Sequence, residues 1–295
     1  MRYIHSISAL STFSFLPSVY AWGSLGHETV AYIATNFVAD STKAVFQEIL
    51  YNKSDSYLAG VATWADSYRY TAEGRFSGLY HFIDAEDNPP ESCGVKFNRD
   101  CGKSGCVVSA IKNYTEQILD TSLEKRRRSI AAKFVIHFLG DIHQPLHDEG
   151  MDRGGNGINV TFNGVRTNLH AIWDTNMPEK LVGGYSFADA HSWAANLTKE
   201  IKTGTYKSQA ASWLDGINLE DPVATALTWA EEANAYVCTT VMPDGETSIE
   251  GQELSGSYYE SCIPVIELQI ARAGYRLASW LALIAVSVSK MYEEL

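Results

Sequence analysis

The sequence is short of several things, and each shortage narrows what the chain can be. It has no uninterrupted apolar stretch of the roughly 20 residues that a membrane-spanning helix needs. The run Leu277 to Val288 is too short, and Lys290, Glu293 and Glu294 after it argue against a lipid-anchor signal. No Pro-, Gly- or Ser-rich linker, internal repeat or low-complexity tract divides the chain, so residues 22–295 read as one domain. Positive charge is scarce: 23 Lys and Arg face 35 Asp and Glu, for a net charge of −12. That balance excludes a protein that grips nucleic acid through a lysine-rich surface. An anionic substrate would need another source of positive charge. The one basic cluster, Lys125 to Arg128, reads as a solvated helix face. Cysteines are few and odd in number: Cys93, Cys101, Cys106, Cys238 and Cys262. In an exported chain that pattern means disulfides plus one leftover thiol. Cys101 and Cys106 are close enough for a local bridge, and Cys93 would pair with a distant cysteine.

Export is indicated by the first 21 residues. Arg2 and His5 form a weak basic start, Ile7 to Leu16 a short apolar core, and Val19-Tyr20-Ala21 a small-x-small cleavage signal. Cleavage after Ala21 would leave Trp22 as the new N-terminus of a secreted, extracellular protein. Four sequons, at Asn52, Asn113, Asn159 and Asn196, are candidate glycosylation sites.

Hydrophobic content of 45% supports a sizeable core. The pattern is mainly helical. His27 to Val38 is amphipathic with His27 pointing inward, Ser109 to Leu119 and Ile130 to Ile142 look helical, and a last helix spans Pro264 to about Met291. The exception is a small β-hairpin: Ile158 to Phe162 and Val165 to Asn168 alternate on either side of Asn163-Gly164. The fold class is mainly α with one hairpin.

The chemistry gathers in Phe134 to Asp148, FVIHFLGDIHQPLHD. His137 and Asp141 are four residues apart, hence on one helix face. A bare imidazole and carboxylate among apolar residues are costly unless something pairs with them. A hydrogen bond between them would serve, and so would a divalent metal. His170 and Asp174 repeat the spacing. Five histidines (His27, His81, His137, His147 and His170) lie beside apolar residues, and Asp66, Asp141 and Asp174 accompany them. This many donors exceeds what one tetrahedral ion needs and suits two or three. Imidazole and carboxylate without cysteine suit zinc, with manganese or iron possible. Such ions would also supply the positive charge the acidic chain lacks.

These residues, in this order, resemble the secreted three-zinc nucleases of fungi and plants, the single-strand-specific nuclease and 3′-nucleotidase family. The resemblance rests on WGSLGHETVAYIA, VATWADSY, YHFIDAEDNPP, FLGDIHQPLHDE, GGNGINV and NLHAIWDTNMP, and covers Trp22 to about Leu283. It implies a helical fold shared with zinc-dependent phospholipase C. It implies that Trp22, through its freed α-amino group and carbonyl, holds one zinc with His27. Asp66, His81, His137 and Asp141 would hold a second, with Asp141 bridging to the first. His147, His170 and Asp174 would hold the third. Asp66 would orient the attacking water and Arg69 touch phosphate. Phe82 would stack on a base whose edge Asp84 and Asn156 bond. The implied bridges are Cys93–Cys238 and Cys101–Cys106, with Cys262 free. The implied reaction cleaves the P–O3′ bond of single-stranded DNA and RNA to 5′-phosphorylated products and removes 3′-phosphates from 3′-nucleotides, in a monomer without membrane partners. His143 would either support a ligand from behind or be structural. Two rivals remain: a zinc phospholipase C, and a secreted zinc-binding protein without catalysis.

Overall fold

In a computed structural model, residues 22–293 are described; the leader and its cleavage signal lie outside them. Long helices carry the architecture. Ser24–Phe37 packs on Ser257–Glu293 and on Phe187–Thr203, while Val107–Leu119 packs on Lys125–Asp141. The first helix buries Leu25, Val30, Ala31, Ile33 and Ala34, the face that its apolar spacing marks out. It starts at Ser24, ahead of His27, so His27 lies inside the first turn rather than at its edge. At its crossing with the last helix, a Cβ on Gly274 would stand 2.5 Å from Ile33 Cβ, so glycine permits the approach. Ser186 caps the Phe187–Thr203 helix in a capping box with Asp189, and Asp221 caps Pro222–Tyr236 with proline at its first position. Among the described residues no helix is long and apolar enough to cross a membrane.

The hairpin forms as its turn chemistry requires. Strands β1 (Asn159–Phe162) and β2 (Val165–Asn168) pair antiparallel, with Val160 opposite Thr167 and Phe162 opposite Val165. Asn163 (φ 51°) and Gly164 (φ 76°) make the turn, both in the left-handed region that suits this dipeptide.

Two expectations need correction. The last helix begins at Ser257, not Pro264, which lies inside it. Proline there removes one backbone donor, but tertiary contacts hold the preceding turn: the Tyr258 hydroxyl accepts from Trp173 Nε1 at 2.8 Å and donates to the Val241 carbonyl at 2.9 Å. The Lys125–Arg128 run is only partly a solvated face. Arg128 is buried and its Nε donates to the Ile118 carbonyl at 2.9 Å, while the other three are exposed. Disulfides join Cys93 to Cys238 and Cys101 to Cys106, and Cys262 is free and buried. Of the sequon asparagines, Asn113, Asn159 and Asn196 are exposed and Asn52 is half-buried.

Candidate metal centre and cleft

The Lys125–Asp141 helix delivers His137 and Asp141 from its last turns into the core. Asp141 is the hub. Its Oδ1 lies 3.1 Å from His27 Nε2, and its Oδ2 lies 3.0 Å from His81 Nδ1 and 3.2 Å from His137 Nε2. The two oxygens therefore face two different neighbourhoods. Asp66 Oδ1 approaches His137 Nε2 at 3.6 Å and His81 Nδ1 at 3.9 Å. The rings of His27 and His137 stack at 3.9 Å. A Cβ at position 140 would stand 2.7 Å from His27 Nδ1, so Gly140 is what lets the first helix bring that ring in.

The second neighbourhood grows from Asn168, whose side chain caps Leu169–Ala171 by accepting from the Ala171 N–H at 2.8 Å. A π-helical turn, Ile172–Asn176, follows. Across that irregular turn His170 Nε2 still meets Asp174 Oδ2 at 3.0 Å, and His147 Nε2 lies 3.7 Å from Asp174 Oδ1. Trp22 is fully buried, and the N–H of Gly23 donates to the Asp174 carbonyl at 2.7 Å. The start of the described chain is thus clamped against this group.

Among the described residues, three groups of His and Asp emerge that could each hold an ion: His27, His137 and Asp141; Asp66, His81 and His137; and His147, His170 and Asp174. The tautomers fit. Nδ1 of His137 donates to the Ala62 carbonyl at 2.6 Å, that of His147 to the His81 carbonyl at 2.7 Å, and that of His170 to the Gly154 carbonyl at 2.6 Å. A carbonyl can only accept, so in the neutral ring each Nε2 keeps its lone pair. Nε2 of His27, His147 and His170 and Oδ1 of Asp66 and Asp141 are buried without an aligned hydrogen-bond partner among the described residues. Orphans of this kind cost about 1–3 kcal/mol each, and metal ions would satisfy them together.

Without an ion, protons take its place. Burial opposes a charge on His137, but Asp141 and Asp66 override it and push the ring up to about 9. Burial, reinforced by the neighbouring rings, drops His27 to about 4. Burial drops His81 to about 3 and lifts Asp66 to about 6. At His170 burial is again outweighed, by Asp174, and the ring rises. A metal must therefore displace a proton from His137 at any pH below about 9. Affinity should rise about tenfold per pH unit between pH 7 and 9 from this proton alone. Calorimetric titration of the metal-free protein with zinc, in buffers of different ionisation enthalpy at pH 7.5, should report at least one proton released per chain. Uptake with no proton released contradicts this electrostatic account.

A cleft of about 960 Å³ opens onto both groups. His81, His147 and His170 line it, and so do all four expected substrate contacts, Arg69, Phe82, Asp84 and Asn156. Arg69 Nη2 lies 3.7 Å from Asp66 Oδ1. Phe82 is half-buried and Asp84 exposed. Asn156 Nδ2 donates to the Arg153 carbonyl at 2.8 Å, which fixes the amide.

His143 faces away from the cluster. Its Nδ1 donates to the Leu139 carbonyl at 2.8 Å, and its Nε2 accepts from Arg276 at 3.1 Å. Of the two roles open to it, it takes the structural one. Gln144 is the residue that sequence reasoning missed. Fully buried, it donates from Nε2 to Asp174 Oδ1 at 2.5 Å and accepts from the Leu146 N–H at 2.6 Å. The only signal was its place inside FLGDIHQPLHDE.

A mostly helical fold carrying buried clusters of imidazole and carboxylate at the floor of an open cleft is the architecture of a metal-dependent hydrolase. The particular kind is given by comparison with known proteins. The S1/P1 nuclease family model matches residues 22–286. The chain is 58% identical to Nuclease S1 of Aspergillus oryzae over 275 residues, 93% of this chain and 96% of that protein. It is 52% identical to Nuclease P1 of Penicillium citrinum over 260 residues, 88% of this chain and 96% of that one. It is 32% identical to Endonuclease 2 of Arabidopsis thaliana over 276 residues, 90% and 91% of the two chains. The chain belongs to the S1/P1 nuclease family and is a phosphodiester hydrolase. These relatives are nucleases, which disfavours the phospholipase alternative.

Proposed function

We propose that this chain is exported, trimmed to Trp22, and hydrolyses single-stranded DNA and RNA as a monomeric endonuclease holding three zinc ions. The observation that carries the reading is the clustering of three buried His/Asp donor groups, two of which reach one cleft through His81, His147 and His170. The family match begins at Trp22, which supports removal of the leader there.

Trp22 and His27, with Asp141 shared, would hold one ion; Asp66, His81, His137 and Asp141 a second; His147, His170 and Asp174 the third. Bound zinc supplies an acidified water and positive charge opposite the developing oxyanions. The residues of the chain do the rest. Asp66, close to His137 and Arg69, would orient the attacking water and accept its proton. Arg69, beside Asp66, steadies the phosphate. Phe82 stacks on the base and Asp84 and Asn156 bond its edge, which a base paired in a duplex cannot offer. Cleavage of P–O3′ leaves 5′-phosphorylated products, and the same geometry releases the phosphate of a 3′-nucleotide. Glycans on Asn52, Asn113, Asn159 or Asn196 are part of the same reading of an exported protein.

The test compares purified protein on heat-denatured DNA and on phosphatidylcholine vesicles, alongside Asp66→Asn with metal content measured. DNA should be cleaved and lipid left intact, and the variant should lose about 10³-fold in kcat. Lipid turnover without DNA cleavage would overturn the substrate. A wild type no more active than Asp66→Asn would overturn catalysis itself.

A further inference from the structure

Resting on that reading, we propose that Arg153 binds a second phosphate of the polynucleotide, the one on the 5′ side of the nucleoside whose 3′-phosphate is attacked. Arg153 would thereby set the preference for chains over mononucleotides.

The backbone at Arg153 is unusual. Asp152, Arg153, Gly154 and Gly155 all have positive φ, 44°, 61°, 63° and 74°. Two of the four are glycines, for which this left-handed conformation is free of penalty. Arginine at φ 61° costs about 1 kcal/mol relative to glycine. A side chain kept where glycine would be cheaper implies a use for the guanidinium. Arg153 is exposed and lines the cleft, and its guanidinium has no hydrogen bond or ion pair among the described residues. The permanent cations lining the cleft are Arg69 and Arg153, against Asp84, Glu86, Asp87 and Glu149. Arg69, 3.7 Å from Asp66, is the cation already assigned to the attacked phosphate. Arg153 is the one left for a second phosphate.

Its neighbours place that ligand. The next residue, Gly154, accepts from His170 Nδ1 at 2.6 Å, so Arg153 adjoins the His147–His170–Asp174 group. Its own carbonyl accepts from Asn156, the proposed base-edge contact. A nucleoside with its base at Phe82 and Asn156 and its 3′-oxygen toward His170 directs its 5′ end along this turn. The group found there in any polynucleotide is a phosphodiester, and in a 3′-mononucleotide there is none. A bidentate guanidinium suits a phosphate oxygen pair.

The experiment uses the mature, metal-loaded protein and three substrates: a dinucleoside monophosphate with a free 5′-hydroxyl, the same molecule with a 5′-phosphate, and a 3′-nucleoside monophosphate. Wild type should prefer the 5′-phosphorylated dinucleotide by about tenfold in kcat/KM, the scale of one charge-assisted contact. Arg153→Gly, which removes the side chain and relieves the backbone, should be at least as heat-stable. It should erase that preference and leave the other two substrates unchanged. Arg153→Lys should restore part of it. The dependence of log KM on log salt for single-stranded DNA should flatten by about 0.7 in Arg153→Gly. Equal loss on all three substrates, or an undiminished preference in Arg153→Gly, would overturn the assignment. A wild type that cleaves neither dinucleotide overturns the nuclease reading instead, a result distinct from either of these.

Discussion

Asp141→Asn should reduce hydrolysis of single-stranded DNA by at least about 10³-fold, the scale on which a group acting at the reacting centre is felt. The substitution keeps the shape and removes the charge. Three imidazoles face the carboxylate within 3.2 Å, one at Oδ1 and two at Oδ2. An amide can offer its oxygen to one neighbourhood only, because its nitrogen is a donor without a free lone pair. The bridge proposed for Asp141 would therefore be lost whichever way the amide turns, and at least one of the proposed ions should leave with it. The metal-free protein should suffer too. Breaking a buried charged pair by changing one partner costs about 3–5 kcal/mol. Burial would then win at His137, whose ring now stands near 9 because Asp141 and Asp66 support it. The variant should thus release fewer protons on binding zinc. Metal analysis, thermal unfolding and an assay on denatured DNA check the three consequences together. Undiminished activity with full metal content would show that Asp141 is only a core residue.

The second large effect concerns Trp22, the proposed first residue of the mature chain. Placing one extra residue ahead of Trp22 should remove one ion and cut activity by at least about 10²-fold, the upper range for loss of an element that orients a metal site. The chemistry is simple. A free α-amine has a lone pair for a metal, whereas an amide nitrogen has given its lone pair to the carbonyl. Trp22 is held in place by its packing. Trp22 is fully buried, a Cβ at position 26 would come within 2.9 Å of its Cβ, and Gly23 is tied to the Asp174 carbonyl. An extended chain cannot slide to offer a different amine. A protease site between the extension and Trp22 supplies the control, since cutting should restore both ion and activity. An extended protein with full activity and full metal would remove the α-amine from the account.

Much of the site is legible before folding is considered, because its strongest signals are local. His137 with Asp141 and His170 with Asp174 share the spacing that stacks side chains on one helical face. The second pair meets even though its backbone is a π-helical turn. Asn163-Gly164 announces its hairpin through the φ values those two residues accept. What is not legible depends on partners far away in the chain. Gln144 looks like any polar residue until Asp174, thirty positions on, is brought to its amide. The carbonyls that fix the imidazole tautomers, Ala62, His81 and Gly154, carry no side-chain signal at all. Arg128 reads as solvent-facing because its partner is a backbone oxygen on the preceding helix. Pro264 reads as a helix start because propensity is local, while the contacts of Tyr258 that extend the helix past it are not.

The most direct test is elemental analysis of the mature protein, purified without chelators and dialysed against metal-free buffer. The account predicts about three zinc ions per chain, and one fewer in the chain extended ahead of Trp22. A fully folded, active protein that carries no zinc or other divalent metal would contradict it.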